Sequence, residues 1–178
     1  MSTPTTLRAP GIAILCADGA VPAVGHTTWN QVARLGEFKG HPQGAFAFTP
    51  EVFAELIANF AETANGRVPV DYEHTSELLP DNAAQEGVPA VAWVVALDDR
   101  GPDGLWGAFE WVDAQAVEYV RARRYLYLSP AVHFDATHRE SGEAIGARLT
   151  SVALTNHPFL DGMAPLTASE PAALTLGL

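Results

Sequence analysis

The sequence predicts an α+β fold, mainly β, in the form of a small closed barrel flanked by helices. Three observations carry this. Val91–Leu97 and Leu105–Val112 are strand-like runs joined by Asp98-Asp99-Arg100-Gly101-Pro102-Asp103-Gly104, a stretch rich in turn formers. Both runs carry apolar groups on both faces (Trp93, Val95 and Leu97; Trp106, Phe109 and Trp111), the pattern of strands buried on two sides. Finally, Phe53, Leu56, Ile57 and Phe60 recur at helical spacing, so at least one amphipathic helix packs outside the strands.

Taken in order, residues 1–10 are Thr/Pro-rich and loose, and Gly11–Cys16 suits a short buried strand. From Asp18 to Gly44 the chain reads as irregular, with Trp29 anchoring it to the core. Thr49-Pro50 opens the helix as cap and first residue, and Asn65-Gly66 stops it. Val68 to Ser76 reads as a strand with Val68, Val70, Tyr72 and His74 on one face. Residues 76–90 form a polar, mobile loop. Asp113 caps a second helix, Ala114 to about Arg124, whose Arg121, Arg123 and Arg124 suit the negative end of the helix dipole. Tyr125 to Asp135 is a strand with Tyr125, Tyr127, Ser129, Ala131 and His133 on one face. Pro130 lacks an N–H and so places this strand at an edge or at a bulge. Ala144 to Thr155 is the last long strand. Residues 1–164 then make one domain and residues 165–178 a tail or linker.

Composition excludes several classes. In 178 residues there are 10 basic and 21 acidic side chains, a net charge of −11, which disfavours a nucleic-acid partner. Lys39 is the only lysine, so no phosphate-binding Gly-Lys loop exists. Cys16 is the only cysteine, which excludes a disulfide framework and a cysteine zinc site, and its apolar neighbours predict an inert thiol. No apolar run approaches the ~18 residues of a membrane span, and Met-Ser-Thr-Pro-Thr-Thr lacks the features of a signal peptide, so a soluble intracellular protein with no membrane partner is expected.

Three readings of the polar residues stay open on the residues alone. Ser129 is a nucleophile with His74 as its base, since a serine hydroxyl needs a neighbouring proton acceptor and imidazole titrates near neutrality. Alternatively, Asp71, Glu73, His74 and another histidine hold a metal, although strand alternation points Asp71 and Glu73 away from His74 and no His-Glu-x-x-His spacing is present. In the third reading the chain is a non-catalytic acidic assembly or scaffold module.

The ordered set Val70-Asp71-Tyr72-Glu73-His74, Val91 to Leu97, Gly104-Leu105-Trp106-Gly107, Tyr125 to Val132 and Leu149 to Pro158 resembles the Mu-like prophage I proteins, and with them the capsid-maturation (prohead) proteases of tailed phages. The matching stretch, Val68 to Phe159, covers about half the chain. The wider family is similar to the herpesvirus assemblin-type serine proteases. The resemblance implies a closed barrel with surrounding helices and a serine endopeptidase that cleaves scaffold and major capsid precursors, and itself, inside the immature head in the host cytoplasm. It implies Ser129 as nucleophile and His74 as base, a homodimer, and neither cofactor nor metal. The position of the third catalytic member is taken by Ser151, which carries no charge; His157, Thr150, Asn156 and His133 are the nearby alternatives. Pro130 cannot donate to an oxyanion, so the Arg148 side chain or an amide of another loop is the substitute. Ser129 Oγ is expected within hydrogen-bond reach of a His74 ring nitrogen. In that family the protease region continues into a scaffold region, so Ala172 to Leu178 reads as the product side of a cleavage junction or as a linker.

Overall fold

The computed structural model describes residues 8–9, 12–13, 22–63, 66–78 and 87–166. Cys16, Asn65 and the tail beyond Leu166 lie outside the described residues, and so do residues 79–86 of the expected loop. Two short strands, β1 (Arg8–Ala9) and β2 (Ile12–Ala13), pair with each other. They are followed by β3 (Thr27–Ala33), β4 (Gly36–Phe38), β5 (Phe46–Phe48), α1 (Pro50–Thr63), β6 (Val68–Tyr72) and α2 (Thr75–Leu78). The chain then forms β7 (Ala92–Asp99), β8 (Leu105–Trp111), α3 (Ala114–Arg121), β9 (Tyr127–Thr137) and β10 (Ala144–Thr155).

The helices begin where local chemistry dictates. Thr49 Oγ1 accepts the Val52 N–H at 3.3 Å, and Phe53, Leu56 and Phe60 are buried along the inner stripe of α1. Asp113 Oδ1 accepts the Ala116 N–H at 2.7 Å, and Ala116, Val117 and Val120 face the core. The second helix stops at Arg121, short of Arg124, because Arg123 enters the left-handed region at φ 56°.

Six strands form one sheet in the order β3-β8-β7-β6-β10-β9. All neighbours are antiparallel except β6 and β10, which run parallel. The sheet curls into a half-barrel, and the edge strands β3 and β9 approach to within 8 Å between Cα atoms. The expected closed barrel is not found: no ladder joins β3 to β9 among the described residues. Pro130 lacks a donor on β9, and register shifts bend both β9 and β3, so the two edges are poor partners. The edge position that Pro130 predicts for β9 is observed.

Two other expectations change. The segment read as irregular contains β3, whose burial includes Thr28 and Asn30. Those polar groups satisfy one another, since Thr28 Oγ1 accepts from Asn30 Nδ2 at 3.0 Å and from Trp111 Nε1 at 2.8 Å. Trp29 is buried as expected, beneath the Arg100 guanidinium at 5.2 Å, which also stacks at 4.4 Å on Trp106. The strand expected from Val68 to Ser76 ends at Tyr72.

The core unites Val70, Val94, Phe109, Trp111, Val152 and Leu154 of the sheet with Phe53 and Leu56 of α1. Where β6 pairs with β10 only at Val152, Ala153 and Leu154, α1 serves the rest of that edge. Glu55 Oε2 accepts the Ala147 N–H at 2.8 Å, and Asn59 Nδ2 donates to the carbonyls of Ile145 and Ala147, each at 2.8 Å. At the other end of the domain Leu166 is buried and its N–H bonds the Leu126 carbonyl at 2.7 Å, so packing runs to that residue.

Candidate active site

Register across three strands builds the site. Asp71 pairs with Ala153, and Ala153 with Ser129. Residues opposite one another in a sheet share a face, so these three side chains form a row across β6, β10 and β9. Their face is the one opposite Val70, Val152, Leu154 and Leu128, which fill the core. The row is nevertheless buried: Asp71 is 2% exposed, Ser129 7% and Ala153 0%. Ser151 and Thr155 flank Ala153 along β10 and are buried too.

The chain that carries His74 folds back over this row. Glu73 extends the β6–β10 ladder by one bond, from its N–H to the Leu154 carbonyl at 3.1 Å. Glu73 and His74 then occupy the left-handed region at φ 52° and 56°. Two consecutive residues with a Cβ in that region are strained, a state that surrounding structure must hold. Here it is held by side chains. The Thr75 hydroxyl donates to the Tyr72 carbonyl, and the Ser76 N–H to Asp71 Oδ2 at 2.7 Å. The Thr155 hydroxyl donates to Glu73 Oε2 at 2.7 Å, and those of Ser151 and Thr150 to Glu77 Oε1, each at 2.7 Å. The turn is therefore fastened to β10 on both sides of Ala153, with His74 between the two fastening glutamates.

This geometry corrects the strand reading of the Asp71–His74 run. His74 does not continue the Val70–Tyr72 face, and alternation no longer separates it from Asp71 and Glu73, because the strand stops before Glu73. It does not assemble a metal site from them either: Asp71 turns to Ser76 and Glu73 to Thr155, and no group of three acidic, His or Cys side chains converges among the described residues.

The sequence-predicted residues are placed as follows. Ser129 and the turn of His74 lie on one face of the sheet, but no hydrogen bond joins Ser129 Oγ to His74 within that arrangement. Ser129 Oγ makes no hydrogen bond among the described residues, and His74 Nδ1 is buried without a partner. Ser151 sits in the same region as an anchor of Glu77. His157 is exposed beyond the end of β10 and contributes only its backbone N–H, to Thr155 Oγ1 at 3.0 Å. His133 is exposed opposite Arg148, on rungs past the Ser151–Ala131 pair. Asn156 braces the turn before β9, bonding the Arg124 carbonyl and the Leu126 N–H. Arg148 is partly exposed and forms no ion pair among the described residues, which leaves its guanidinium available.

Two residues near His74 hold positions that the sequence reading does not give them: Asp71 has a role there only as a metal ligand, and Glu77 has none. Asp71 is aligned with Ser129 and has one carboxylate oxygen, Oδ1, buried without a partner. Glu77 belongs to the segment read as a loop, although its spacing of three from His74 is the one signal that could have found it. On the other side of the turn, Tyr72 packs against Tyr125 at 5.2 Å and Tyr119 at 6.3 Å between ring centroids. Burial, followed by the nearby Asp113 charge and the two tyrosines, pushes the Tyr72 phenol up to about 12. Burial and then the Glu73 carboxylate raise that of Tyr125 as well.

No curated protein and no solved structure matches the chain. The family model described as the N-terminal domain of Mu-like prophage I protein matches residues 30–167, from β3 through the last buried residues after β10. The chain thus belongs to the Mu-like prophage I protein family, and the row of Asp71, Ala153 and Ser129 lies within the matched domain.

Proposed function

We propose that this prophage domain is a serine endopeptidase of phage head assembly, with Ser129 as nucleophile and His74 as general base. The observation that carries the reading is the fastening of the His74 turn to β10 on either side of Ala153, whose neighbour on β9 is Ser129. Strained backbone held by five side-chain groups is a construction that a plain connecting loop does not need. Among the described residues no other protein group engages the Ser129 hydroxyl or the His74 ring, so neither is diverted from the reaction. Hydrogen bonds of this kind are often loose in an unliganded state and tighten when substrate arrives.

In this mechanism Ser129 Oγ attacks a peptide carbonyl carbon and its proton passes to His74. The tetrahedral intermediate collapses as the C–N bond breaks, and His74 gives the proton to the leaving amine, which leaves an acyl-enzyme. Water then attacks the ester carbonyl, losing a proton to His74, which returns it to Ser129 as the carboxylate product departs. No cofactor takes part. The uncommitted Arg148 guanidinium is the side chain offered for the oxyanion, since Pro130 has no N–H to give. The proposed substrates are scaffold and major capsid precursors, with the protein itself among them, inside the immature head in the host cytoplasm, and the proposed working form is a homodimer.

The test is incubation of the protein with a scaffold-bearing precursor. The parent cleaves it, while Ser129→Ala and His74→Gln do not, and a fluorophosphonate labels Ser129 in the parent only. A Ser129→Ala protein that cleaves at the parent's rate overturns the assignment. The missing bond between Ser129 and His74 favours one other reading, a non-catalytic assembly module. It requires that the parent shows no cleavage and that heads assemble equally well with Ser129→Ala.

A further inference from the structure

We infer that Asp71 is the positioning residue that holds His74 through Nδ1, in the role for which Ser151 lacks the charge; the inference rests on the proposed Ser129–His74 chemistry. Among the described residues three buried polar atoms have no partner, all between residues 71 and 74: the Asp71 oxygen Oδ1, the His74 nitrogen Nδ1 and the Tyr72 hydroxyl, the last on the opposite face of β6 from Asp71. An unpaired buried acceptor and an unpaired buried ring nitrogen are each costly. They are also complementary, since Nδ1 carrying its proton is the donor that Oδ1 lacks.

The row supplies the spacing. Asp71 and Ser129 stand two strands apart, with only the methyl group of Ala153 between them. Two strand spacings are roughly 9.6 Å. An imidazole with one hydrogen bond at each nitrogen spans about 8 Å, so the ring fits between a carboxylate at one end of the row and a hydroxyl at the other. The remaining Asp71 oxygen, Oδ2, is fixed by the Ser76 N–H at 2.7 Å, which aims the carboxylate. With the proton on Nδ1 facing Asp71, Nε2 is the free lone pair that takes the Ser129 proton, and the carboxylate stabilises the imidazolium formed. The rival acids are occupied: Glu77 Oε1 already accepts two hydroxyls, and Glu73 Oε2 accepts that of Thr155.

The tautomer of His74 tests this in the intact protein. A long-range proton–nitrogen spectrum is recorded with nitrogen-15 histidine at neutral pH, and His74 is assigned by its loss in His74→Gln. The expected result is an Nδ1–H imidazole with a strongly downfield proton. Asp71→Asn retains an oxygen for the Ser76 N–H but presents an amide, so it moves the proton to Nε2 and lowers kcat about 10²–10⁴-fold with little change in KM. An Nε2–H tautomer in the parent overturns the inference even where Asp71→Asn fails to fold. So does a folded Asp71→Asn protein with unchanged tautomer and kcat. Residual cleavage by Ser129→Ala is a different failure: it sinks the nucleophile, while the His74 tautomer still reports on Asp71.

Discussion

Ser151 on the last strand donates a 2.7 Å hydrogen bond to Glu77 of the short helix after the His74 turn. Thr150, its neighbour, donates another of 2.7 Å to the same oxygen. Adjacent strand residues ordinarily face opposite sides of a sheet. The register shift between Leu149 and Ser151 brings both hydroxyls to one carboxylate. A bulge on β10 thereby grips the segment that carries the proposed base.

That grip has a measurable strength. Glu77→Ala leaves the buried Ser151 hydroxyl without its acceptor, and a loss of about 1–3 kcal/mol is expected in urea denaturation. Ser151→Ala keeps the Thr150 bond and loses less than about 1 kcal/mol. Amide hydrogen exchange over residues 73–78 should accelerate in Glu77→Ala more than elsewhere in the domain. Uniform acceleration throughout the domain contradicts the clamp.

Tyr72 makes the fold sensitive to alkali. Its phenol ionises at about 12 in the folded protein against 10.0 ordinarily, so the folded state keeps a proton that the unfolded chain releases. The stabilisation is complete below pH 10 and declines as pH rises from 10 towards 12. In Tyr72→Phe this part of the decline disappears, and the buried hydroxyl without a partner is removed as well. Denaturation midpoints followed from neutral into alkaline pH, together with phenolate absorbance, check both effects.

Gly104 closes the turn between β7 and β8 at φ 87°, and a Cβ there would lie 2.3 Å from the Ala33 carbonyl oxygen. Main chain on both sides cannot yield. Gly104→Ala is expected to destabilise by more than about 2 kcal/mol, since a steric clash adds to the backbone strain. Gly142, at φ 73° with no atom within 4 Å, is the control: Gly142→Ala meets strain alone, about 1–2 kcal/mol. Equal losses in the two variants would count against the close approach to Ala33.

Asp113 holds the start of α3 through the Ala116 N–H at 2.7 Å. Asp113→Ala should lower stability by about 1 kcal/mol, and Asp113→Asn by much less, because asparagine also caps well. Thermal unfolding of the two variants side by side distinguishes the cap from a general effect of charge.

Much of the fold was legible because it is written at short range. The stripe of Phe53, Leu56 and Phe60 behind Thr49-Pro50 marks α1, Asp113 marks α3, and the turn residues from Asp98 to Gly104 mark the β7–β8 hairpin. The last strand spans Ala144–Thr155 as read, and Pro130 put β9 at an edge. Each of these rests on neighbours a few residues apart. The strand β3 was hidden because Thr28 and Asn30 are buried on it, satisfied by one another and by distant Trp111. Strand alternation likewise failed at Glu73 and His74, where the backbone is left-handed and the turn is tied to the hydroxyls of Thr155, Ser151 and Thr150 far along the chain.

By itself the chain's order of residues determined α1, α3, the β7–β8 hairpin, the last strand and the edge position of β9, and it named Ser129 and His74 as the pair to examine. The tertiary structure decided that β6 runs parallel to β10, that the edges of the sheet stay unjoined, and that Asp71 stands in line with Ser129. The physical reason is separation along the polymer. Capping, turns and periodicity act over a few residues, whereas the bonds that fold the His74 turn onto β10 link side chains more than seventy positions apart.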